Sequence, residues 1–204
     1  LREQALLSRI KPALENETPI REQSFAADEA RILENYQFLT AKPVLVVLNI
    51  GEAQLPQASS VEEGLSQRYP PLKVAAVCAK LEMELSQLGE ADAAEFRSAI
   101  GVREGVIDRI IRLSYEILGL LSFFTIASSE LKAWTVPLRT PAQKAAGKIH
   151  SDMERGFIRA EVISCSDMVA CGSLAEARKK GLLRLEGKNY PVRDGDVITF
   201  LFSV

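Results

Sequence analysis

The chain has 204 residues, 47% of them hydrophobic and 25% charged, which is enough for one large or two small domains with a buried core. Its formal net charge of −2 argues against a wholly basic nucleic-acid-binding protein. That average hides an asymmetry: residues 124–204 hold 12 Lys and Arg against 9 Asp and Glu, so the remainder of the chain is acidic.

Three cysteines without paired spacing predict reduced thiols in a cytosolic protein, and with a single histidine they predict no metal site. The longest apolar run, Ile117 to Ile126, is too short to span a membrane. The chain starts at Leu1 without methionine or a signal-like apolar core, and we expect it to begin within a longer protein.

The first 43 residues predict two packed helices without chemistry of their own. Apolar residues at helical spacing over residues 6–14 indicate one arm of a helical hairpin or coiled-coil pair, with a kink or an early end at Pro12. A turn follows at residues 16–19. The second helix is expected to begin at Asp28, to carry Leu39 on its apolar face, and to stop before Lys42 and Pro43.

An α/β pattern follows. The aliphatic run at residues 44–48 is typical of a strand buried on both faces of a parallel sheet, and residues 72–77 predict the next strand. A capping box at Ser60 predicts a helix between them, to about Gln67. Strand, helix and strand in this order favour parallel pairing, so the polar residues after both strands are expected at the carboxyl edge, where open α/β sheets bind ligands.

After the second strand, helices are expected to the end of the first part of the chain. The acidic residues 81–96 predict one or two helices, and residues 106–118 predict another that covers the sheet and ends at a Gly119 cap. A new pattern of strands begins near Phe123, which places a domain boundary near residues 120–124.

The last segment predicts a small mixed sheet. Strands are expected at residues 131–136, 157–163, 182–185 and 197–202. Short helices are expected at residues 140–146, with Pro141 at the first position, and at residues 174–179. Trp134 is expected in the core rather than as a base-stacking platform, because it lies within an apolar strand.

Three runs in this segment carry a resemblance to a known family. They are residues 133–135 (Ala-Trp-Thr), residues 149–162 (Ile-His-Ser-Asp-Met-Glu-Arg-Gly-Phe-Ile-Arg-Ala-Glu-Val) and residues 185–197 (Leu-Glu-Gly-Lys-Asn-Tyr-Pro-Val-Arg-Asp-Gly-Asp-Val). They resemble the TGS domain that ends the YchF group of Obg-related P-loop nucleotidases. The resemblance implies a β-grasp fold for residues 122–204.

The resemblance extends to the polar residues that follow the two α/β strands. Residues 40–52 resemble a base-recognition motif in which Asn-x-x-Glu replaces the Asn-Lys-x-Asp of ordinary GTPases, and residues 77–82 resemble the second base-side loop. The resemblance implies that Asn49 and Glu52 contact a nucleotide base, together with backbone amides of Cys78, Ala79 and Lys80. In ordinary GTPases the aspartate of this motif accepts from two guanine donors, so its loss removes the energetic penalty for binding adenine. The family accordingly hydrolyses ATP in preference to GTP.

The whole chain is then expected to have three parts and to belong to the α/β and α+β fold classes. Residues 1–31 would end a helical coiled-coil insertion, residues 32–121 would be the C-terminal part of an incomplete Rossmann-like P-loop domain, and residues 122–204 would be the TGS domain. The sequence has no Gly-x-x-x-x-Gly-Lys-Ser/Thr loop and no Asp-x-x-Gly loop, which supply phosphate and Mg²⁺ binding. We expect ATP or GTP with Mg²⁺ to bind tightly only to the longer family protein, and this chain alone to be inactive.

The mildly basic C-terminal segment offers a candidate partner surface, made of Lys132, Lys144, Lys148, His150, Arg155 and Arg159. Two interpretations stay open: solvated charges, or an RNA-binding face favoured by the charge asymmetry and by the resemblance to ribosome-associated proteins. His150 is expected either in a turn, bonded to nearby backbone, or in a surface that contacts a ligand or partner. No catalytic residue is predicted, because His150 and Asp152 come without a nucleophile elbow.

Three functional hypotheses follow. The first is the C-terminal part of a YchF-type, ribosome-associated ATPase or GTPase of the cytoplasm, with the ribosome or rRNA as partner and no membrane association. The second is a stand-alone RNA- or ribosome-binding TGS adaptor without nucleotide chemistry, and the third is a structural scaffold. An incomplete nucleotide domain would also expose a sheet edge, which favours self-association.

Overall fold

The computed structural model describes residues 2–70, 72–102, 104–127 and 130–203. The chain divides into two compact units, Leu1–Ile117 and Leu118–Val204. The boundary expected near residues 120–124 lies a few residues beyond this division. Within the described ranges, no helix is long and apolar enough to cross a membrane.

The first unit begins with two helices, α1 (Arg2–Glu15) and α2 (Ala27–Glu34), which bury a small cluster that includes Ile10 and Leu33. Of the two expectations for Pro12, a kink or an early end, the early end was wrong: α1 continues to Glu15, because Ile10 and Leu14, on either side of Pro12, both pack into this cluster. α2 ends earlier than expected, because Gln37 adopts a left-handed backbone conformation that no helix continues.

A two-stranded parallel sheet follows, with β1 (Leu45–Asn49) paired to β2 (Lys73–Val77) so that Asn49 lies beside Val77. A 3₁₀ helix at Glu52–Gln57 and α3 (Ala58–Arg68) connect the strands. β2 is buried along most of its length, but the prediction that β1 is buried on both faces was wrong. Val47 is 48% exposed, and β1 has only β2 as a strand neighbour among the described residues.

Helix α3 begins before the predicted capping box. Ser60 lies inside its first turn and donates a hydrogen bond to the Gln57 carbonyl, so it does not cap the helix. Glu62 of α3 then fixes the helix to the sheet, because its carboxylate accepts from the Ala76 amide at 2.6 Å and from Arg109 of the last helix of this unit at 2.5 Å. This shared carboxylate joins α3, β2 and that helix.

The acidic segment forms two helices, α4 (Ala79–Leu85) and α5 (Glu90–Ala99), and α6 (Val106–Leu118) follows. Gly119 directly after α6 has a φ of 62°, which confirms the predicted glycine cap, since a residue with a side chain is strained there. A second small cluster of buried side chains lies under α4 and α5, formed by Cys78, Leu81, Leu85 and Ala93.

The second unit is built on a five-stranded mixed sheet of order β4-β3-β7-β5-β6. The strands are β3 (Leu120–Ala127), β4 (Glu130–Pro137), β5 (Phe157–Ser164), β6 (Arg184–Glu186) and β7 (Asp196–Phe202). The last strand, β7, lies between β3, to which it is parallel, and β5, to which it is antiparallel. The prediction of a small mixed sheet is confirmed.

Helices cover both faces of this sheet. On one face, α7 (Ala142–Ile149) and α8 (Ser151–Arg155) pack over a core that contains Phe123, Val162 and Phe200. On the other face, α9 (Cys165–Cys171) and α10 (Leu174–Lys179) pack over Ile163 and Val197. Because successive side chains of a strand point to opposite faces, β5 contributes to both cores.

Two details of this unit differ from the prediction. Pro141 precedes α7 as its N-cap residue and is not its first helical residue. Helices α8 and α9 were not predicted, because they are short and begin at local side-chain caps, His150 and Ser164. Trp134 packs against the core as expected, and its indole N–H donates to the Thr125 hydroxyl at 2.9 Å.

Candidate functional site

The ends of the two parallel strands bring the predicted base-binding residues together. Asn49 ends β1, and its side-chain oxygen Oδ1 accepts a hydrogen bond from the Ala79 amide, at the start of α4, with a nitrogen-to-oxygen distance of 3.2 Å. The Ile50 amide also donates to the Val77 carbonyl at 2.8 Å. These contacts hold the loops that follow β1 and β2 side by side.

An ion pair crosses between the same two loops. Lys80 Nζ lies 3.0 Å from Glu52 Oε1 and 3.8 Å from Glu84 Oε1. The hydrogen bond to Glu52 is the main cause that raises the pKa of Lys80, and the charge of Glu84 adds to it. Both partners remain accessible, with 67% of the Lys80 side chain and 52% of the Glu52 side chain exposed.

Cys78 takes a different position from its neighbours. Its side chain is buried beneath the loop, in the cluster under α4, so its thiol does not reach the surface. The site therefore combines a carboxamide, a carboxylate, an ammonium group and backbone amides, which suits hydrogen bonding to the edge of a heteroaromatic base. No group of His, Cys, Asp or Glu that would hold a metal ion was found in the part of the chain that the structure describes.

A cavity of about 410 Å³ lies beside the end of β2, and sequence reasoning missed it. Its walls include Leu55, Val77, Cys78, Glu82 and Arg109, which come from the 3₁₀ helix, β2, α4 and α6. Arg109 is held there by Glu62. No sequence motif marks such a cavity, because its walls come from segments that are far apart along the chain.

The candidate partner surface is centred on α7 and α8. His150 caps α8, and its Nδ1 accepts from the Asp152 amide at 3.2 Å, which matches the expected turn residue bonded to nearby backbone. Lys144 is paired with Glu154 at 2.5 Å, and Arg155 is paired with Asp152. The hydrogen bond from Arg155 is the main cause that lowers the pKa of Asp152. Two of the predicted basic groups thus each have a carboxylate partner.

The six predicted residues do not share one face. Lys148 is exposed on α7 without an ion-pair partner within the described ranges. Lys132 lies on the edge strand β4, beside Glu130 at 3.2 Å. Arg159 lies on the face of β5 opposite α7, since it alternates with Ala160, which belongs to the core under α7. The structure brings together Lys144, Lys148, His150 and Arg155.

Comparisons with known proteins agree on one group. The family model YchF-GTPase_C, described as "Protein of unknown function (DUF933)", matches residues 120–203. A Bacillus subtilis protein named "Ribosome-binding ATPase YchF" is 39% identical over 203 residues, 98% of this chain and 56% of the relative. A Caenorhabditis elegans protein named "Obg-like ATPase 1" is 34% identical over 202 residues, 97% of this chain and 51% of the relative.

Solved structures give the same result for the fold. A Schizosaccharomyces pombe YchF GTPase superimposes with a TM-score of 0.79 and 26% identity, over 98% of this chain and 54% of that one. A Pyrococcus horikoshii GTP-binding protein, 16% identical, superimposes with a TM-score of 0.54 and supports the fold alone. The chain therefore spans about half the length of the relatives that it matches.

Proposed function

As this chain is a homologue of the C-terminal part of the YchF group of Obg-like ATPases, we propose that it carries the base-recognition edge and the partner-binding domain of a ribosome-associated nucleotidase. The observation that carries the proposal is the hydrogen bond between Asn49 Oδ1 and the Ala79 amide. It joins the two loops that the family resemblance assigns to the base, at the carboxyl edge of a parallel sheet, where such sheets bind ligands.

In this proposal residues 1–31 end a helical insertion, residues 32–121 contribute the C-terminal part of the nucleotide domain, and residues 122–204 form a TGS domain with a β-grasp fold. The mixed sheet supports the β-grasp assignment, because its first and last strands, β3 and β7, are parallel neighbours at its centre and α7 packs across it.

ATP or GTP with Mg²⁺ is the proposed ligand of the longer family protein. The relatives are named as an ATPase and a GTPase, and the residues near Asn49 offer donors and acceptors for a base. Phosphate and Mg²⁺ binding would come from motifs that this sequence lacks. The test is to add ATP and Mg²⁺ to the chain and to measure released phosphate. We expect phosphate to be released no faster than in a protein-free control. Sustained turnover would refute the proposal that this chain contributes base recognition without catalysis.

The proposed partner is the ribosome, through rRNA, in the cytoplasm. The names of the relatives support ribosome binding, and the exposed Lys148 is the one basic residue of α7 and α8 without an ion-pair partner among the described residues. The test is co-sedimentation of the chain with ribosomes. We expect Lys148→Glu to weaken binding and to lower its salt dependence, because a lysine that contacts phosphate displaces about one counterion. Lys179→Glu, on α10 and paired with Glu176, is the matched control.

A stand-alone RNA- or ribosome-binding adaptor is the second candidate. The observation that favours it is the separate core of the second unit, around Phe123, which does not depend on a nucleotide. Co-sedimentation in the presence and absence of a non-hydrolysable ATP analogue, at a concentration high enough to occupy a weak base site, separates the two candidates. Equal binding in both conditions favours the adaptor, and binding that changes with the analogue favours the nucleotidase fragment.

A further inference from the structure

A second cavity lies among the first 43 residues. Its volume is about 400 Å³, and its walls include residues of the 3₁₀ helix Ile20–Glu22, of α2 and of the 3₁₀ helix Leu39–Ala41. The lining residues all lie between 20 and 43, before β1, whereas the predicted base-binding residues follow β1 and β2. A cavity of this volume accommodates a compact small molecule.

Much of this cavity is lined by apolar side chains. Ile20 and Leu33 are only 4% and 6% exposed, and the half-buried Phe25 and Phe38 pack against the same cluster. Apolar walls bind the aliphatic or aromatic body of a ligand, because the removal of that body from water is favourable. The polar groups of the cavity then decide the class of ligand.

The charged part of the lining is mainly cationic. Arg21 and Lys42 line the cavity together with one acidic residue, Glu34. The Nε atom of Arg21 is buried and has no hydrogen-bond acceptor among the described residues, and Arg21 Nη2 lies 3.8 Å from Glu22 Oε1. Buried donors in folded proteins are nearly always paired, so this unpaired Nε indicates that an acceptor belongs beside it.

Gln37 holds the second cation at the cavity. Its backbone lies in the left-handed region, with a φ of 52°, which is strained for a residue with a side chain. Its side-chain Nε2 donates to the Glu34 carbonyl at 2.6 Å, and its Oε1 accepts from Lys42 Nζ at 3.5 Å. Lys42 thus contacts an amide oxygen rather than a carboxylate of the described residues, so its positive charge is not compensated there.

We propose that the cavity is a binding site for a small amphipathic carboxylate, which accepts hydrogen bonds from Arg21 and Lys42 and places its apolar body against Leu33 and Phe38. An ionised carboxylate only accepts hydrogen bonds, so it supplies the partner that Arg21 Nε lacks and compensates the charge of Lys42. Glu34 is exposed, so solvent weakens its repulsion of the bound carboxylate. The site does not depend on the nucleotide-base site.

The test is a titration of the full chain with octanoate, octanol and octylammonium, which share an apolar body and differ in charge. The backbone amides of residues 20–25 and 37–42 report binding through their chemical shifts. We expect octanoate to bind at least about tenfold more tightly than octanol, because hydrogen bonds between charged groups are the stronger ones. Octylammonium should not bind, because its charge has the same sign as those of Arg21 and Lys42.

Variants of the lining identify the groups that recognise the carboxylate. Arg21→Met should weaken octanoate by about tenfold and leave octanol unchanged. The matched control, Arg31→Met, removes an exposed arginine of α2 outside the cavity lining and should change neither affinity. Glu34→Gln should strengthen octanoate by about twofold, because it removes an exposed like charge. Thermal unfolding shows whether each variant is folded, and Arg21→Met removes a donor that is unpaired already.

Three results would overturn the proposal. Equal affinity for octanoate and octanol would show that the cavity takes apolar bodies whatever their charge. Equal weakening by Arg21→Met and Arg31→Met would show that the net charge of the chain attracts the ligand. The absence of a saturable shift with octanoate at about 10 mM, where even millimolar affinity is detected, would show that there is no such site. Weakening confined to Arg21→Met, with strengthening by Glu34→Gln, establishes the carboxylate site.

Discussion

The two units of this chain bury their sheets to very different extents. In the described residues of 118–204, five strands and four helices share cores in which Phe123, Ala160 and Val162 have no exposed surface. In residues 1–117, the sheet has two strands among the described residues, and Val47 and Ile107 remain 48% and 73% exposed. The second unit therefore has one sheet covered on both faces, whereas the first has smaller hydrophobic clusters and a sheet that leaves part of β1 exposed.

The largest expected effect is in the core of the second unit. Phe123→Ala removes a fully buried ring that meets Phe200 edge to face, with 6.0 Å between the ring centroids. We expect a loss of about 3–5 kcal/mol in the free energy of unfolding, because the cavity left behind cannot collapse. Urea unfolding followed by fluorescence of Trp134, the single tryptophan, reports on this unit alone.

The control in the same sheet is Leu131→Ala, at a position that is 62% exposed. It should cost about 0.5 kcal/mol or less, as is usual for a surface substitution. Equal urea midpoints for the two variants would show that burial in this core does not stabilise the unit, and the contrast between the two units would then fail.

The first unit should respond most strongly where a polar side chain joins its elements. Glu62→Ala leaves the Ala76 amide and the Arg109 guanidinium group without the carboxylate that they share. We expect a loss of about 2 kcal/mol, the cost of unpaired, partly buried polar groups. Hydrogen exchange of the β2 amides measures it, since these amides lie in this unit. Glu63→Ala, at the adjacent exposed position, should leave their protection unchanged.

A smaller effect of opposite sign is expected in α3. Gly64 lies inside the helix, and an added Cβ would meet no atom within 4 Å. Gly64→Ala should therefore stabilise the first unit by about 0.5–1 kcal/mol, because alanine loses less conformational freedom on folding. Slower exchange of the β2 amides would show it. Gly119 has a φ of 62° and lies in the second unit, so Gly119→Ala should instead lower the urea midpoint that Trp134 reports. Stabilisation at both glycines would contradict the backbone argument.

The smallest effect concerns pH and the second unit. Burial raises the pKa of Tyr190, and the hydrogen bond that it donates to Asp196 raises it further. Since the folded-state pKa lies above the unfolded value, the stabilisation is complete below about pH 10 and is lost as the pH rises above it. We expect Tyr190→Phe to flatten this alkaline decline of the urea midpoint, as read by Trp134. Parallel declines in both proteins would contradict the assignment.

Much of the secondary structure was predictable because local patterns decide it. The periodicity of α6 and its terminal Gly119 are confirmed, as is β2. Helices α8 and α9 were missed because a few residues with a capping side chain carry no periodic signal. The burial of β1 was overestimated, because an aliphatic run shows that a strand tolerates burial and cannot show how many neighbours cover it.

The candidate site was predictable to the level of its loops. Parallel strands bring their carboxyl ends to one edge, so the residues around Asn49 and Ala79 were expected to be neighbours, and the structure brings them together. The pairing of Glu52 with Lys80 and the cavity beside Arg109 were not predictable. Both depend on where side chains from separate elements end, which spacing along the chain does not specify.

The sequence by itself determined the family resemblance, the order of helices and strands, and the edge at which Asn49 lies, because these follow from local patterns and motif runs. Only the tertiary structure decided which charges act together. Lys144 and Lys148 share α7, whereas Arg159 lies on the opposite face of the sheet. The physical reason is that a strand alternates its side chains between two faces, and the packing of distant helices decides what each face meets.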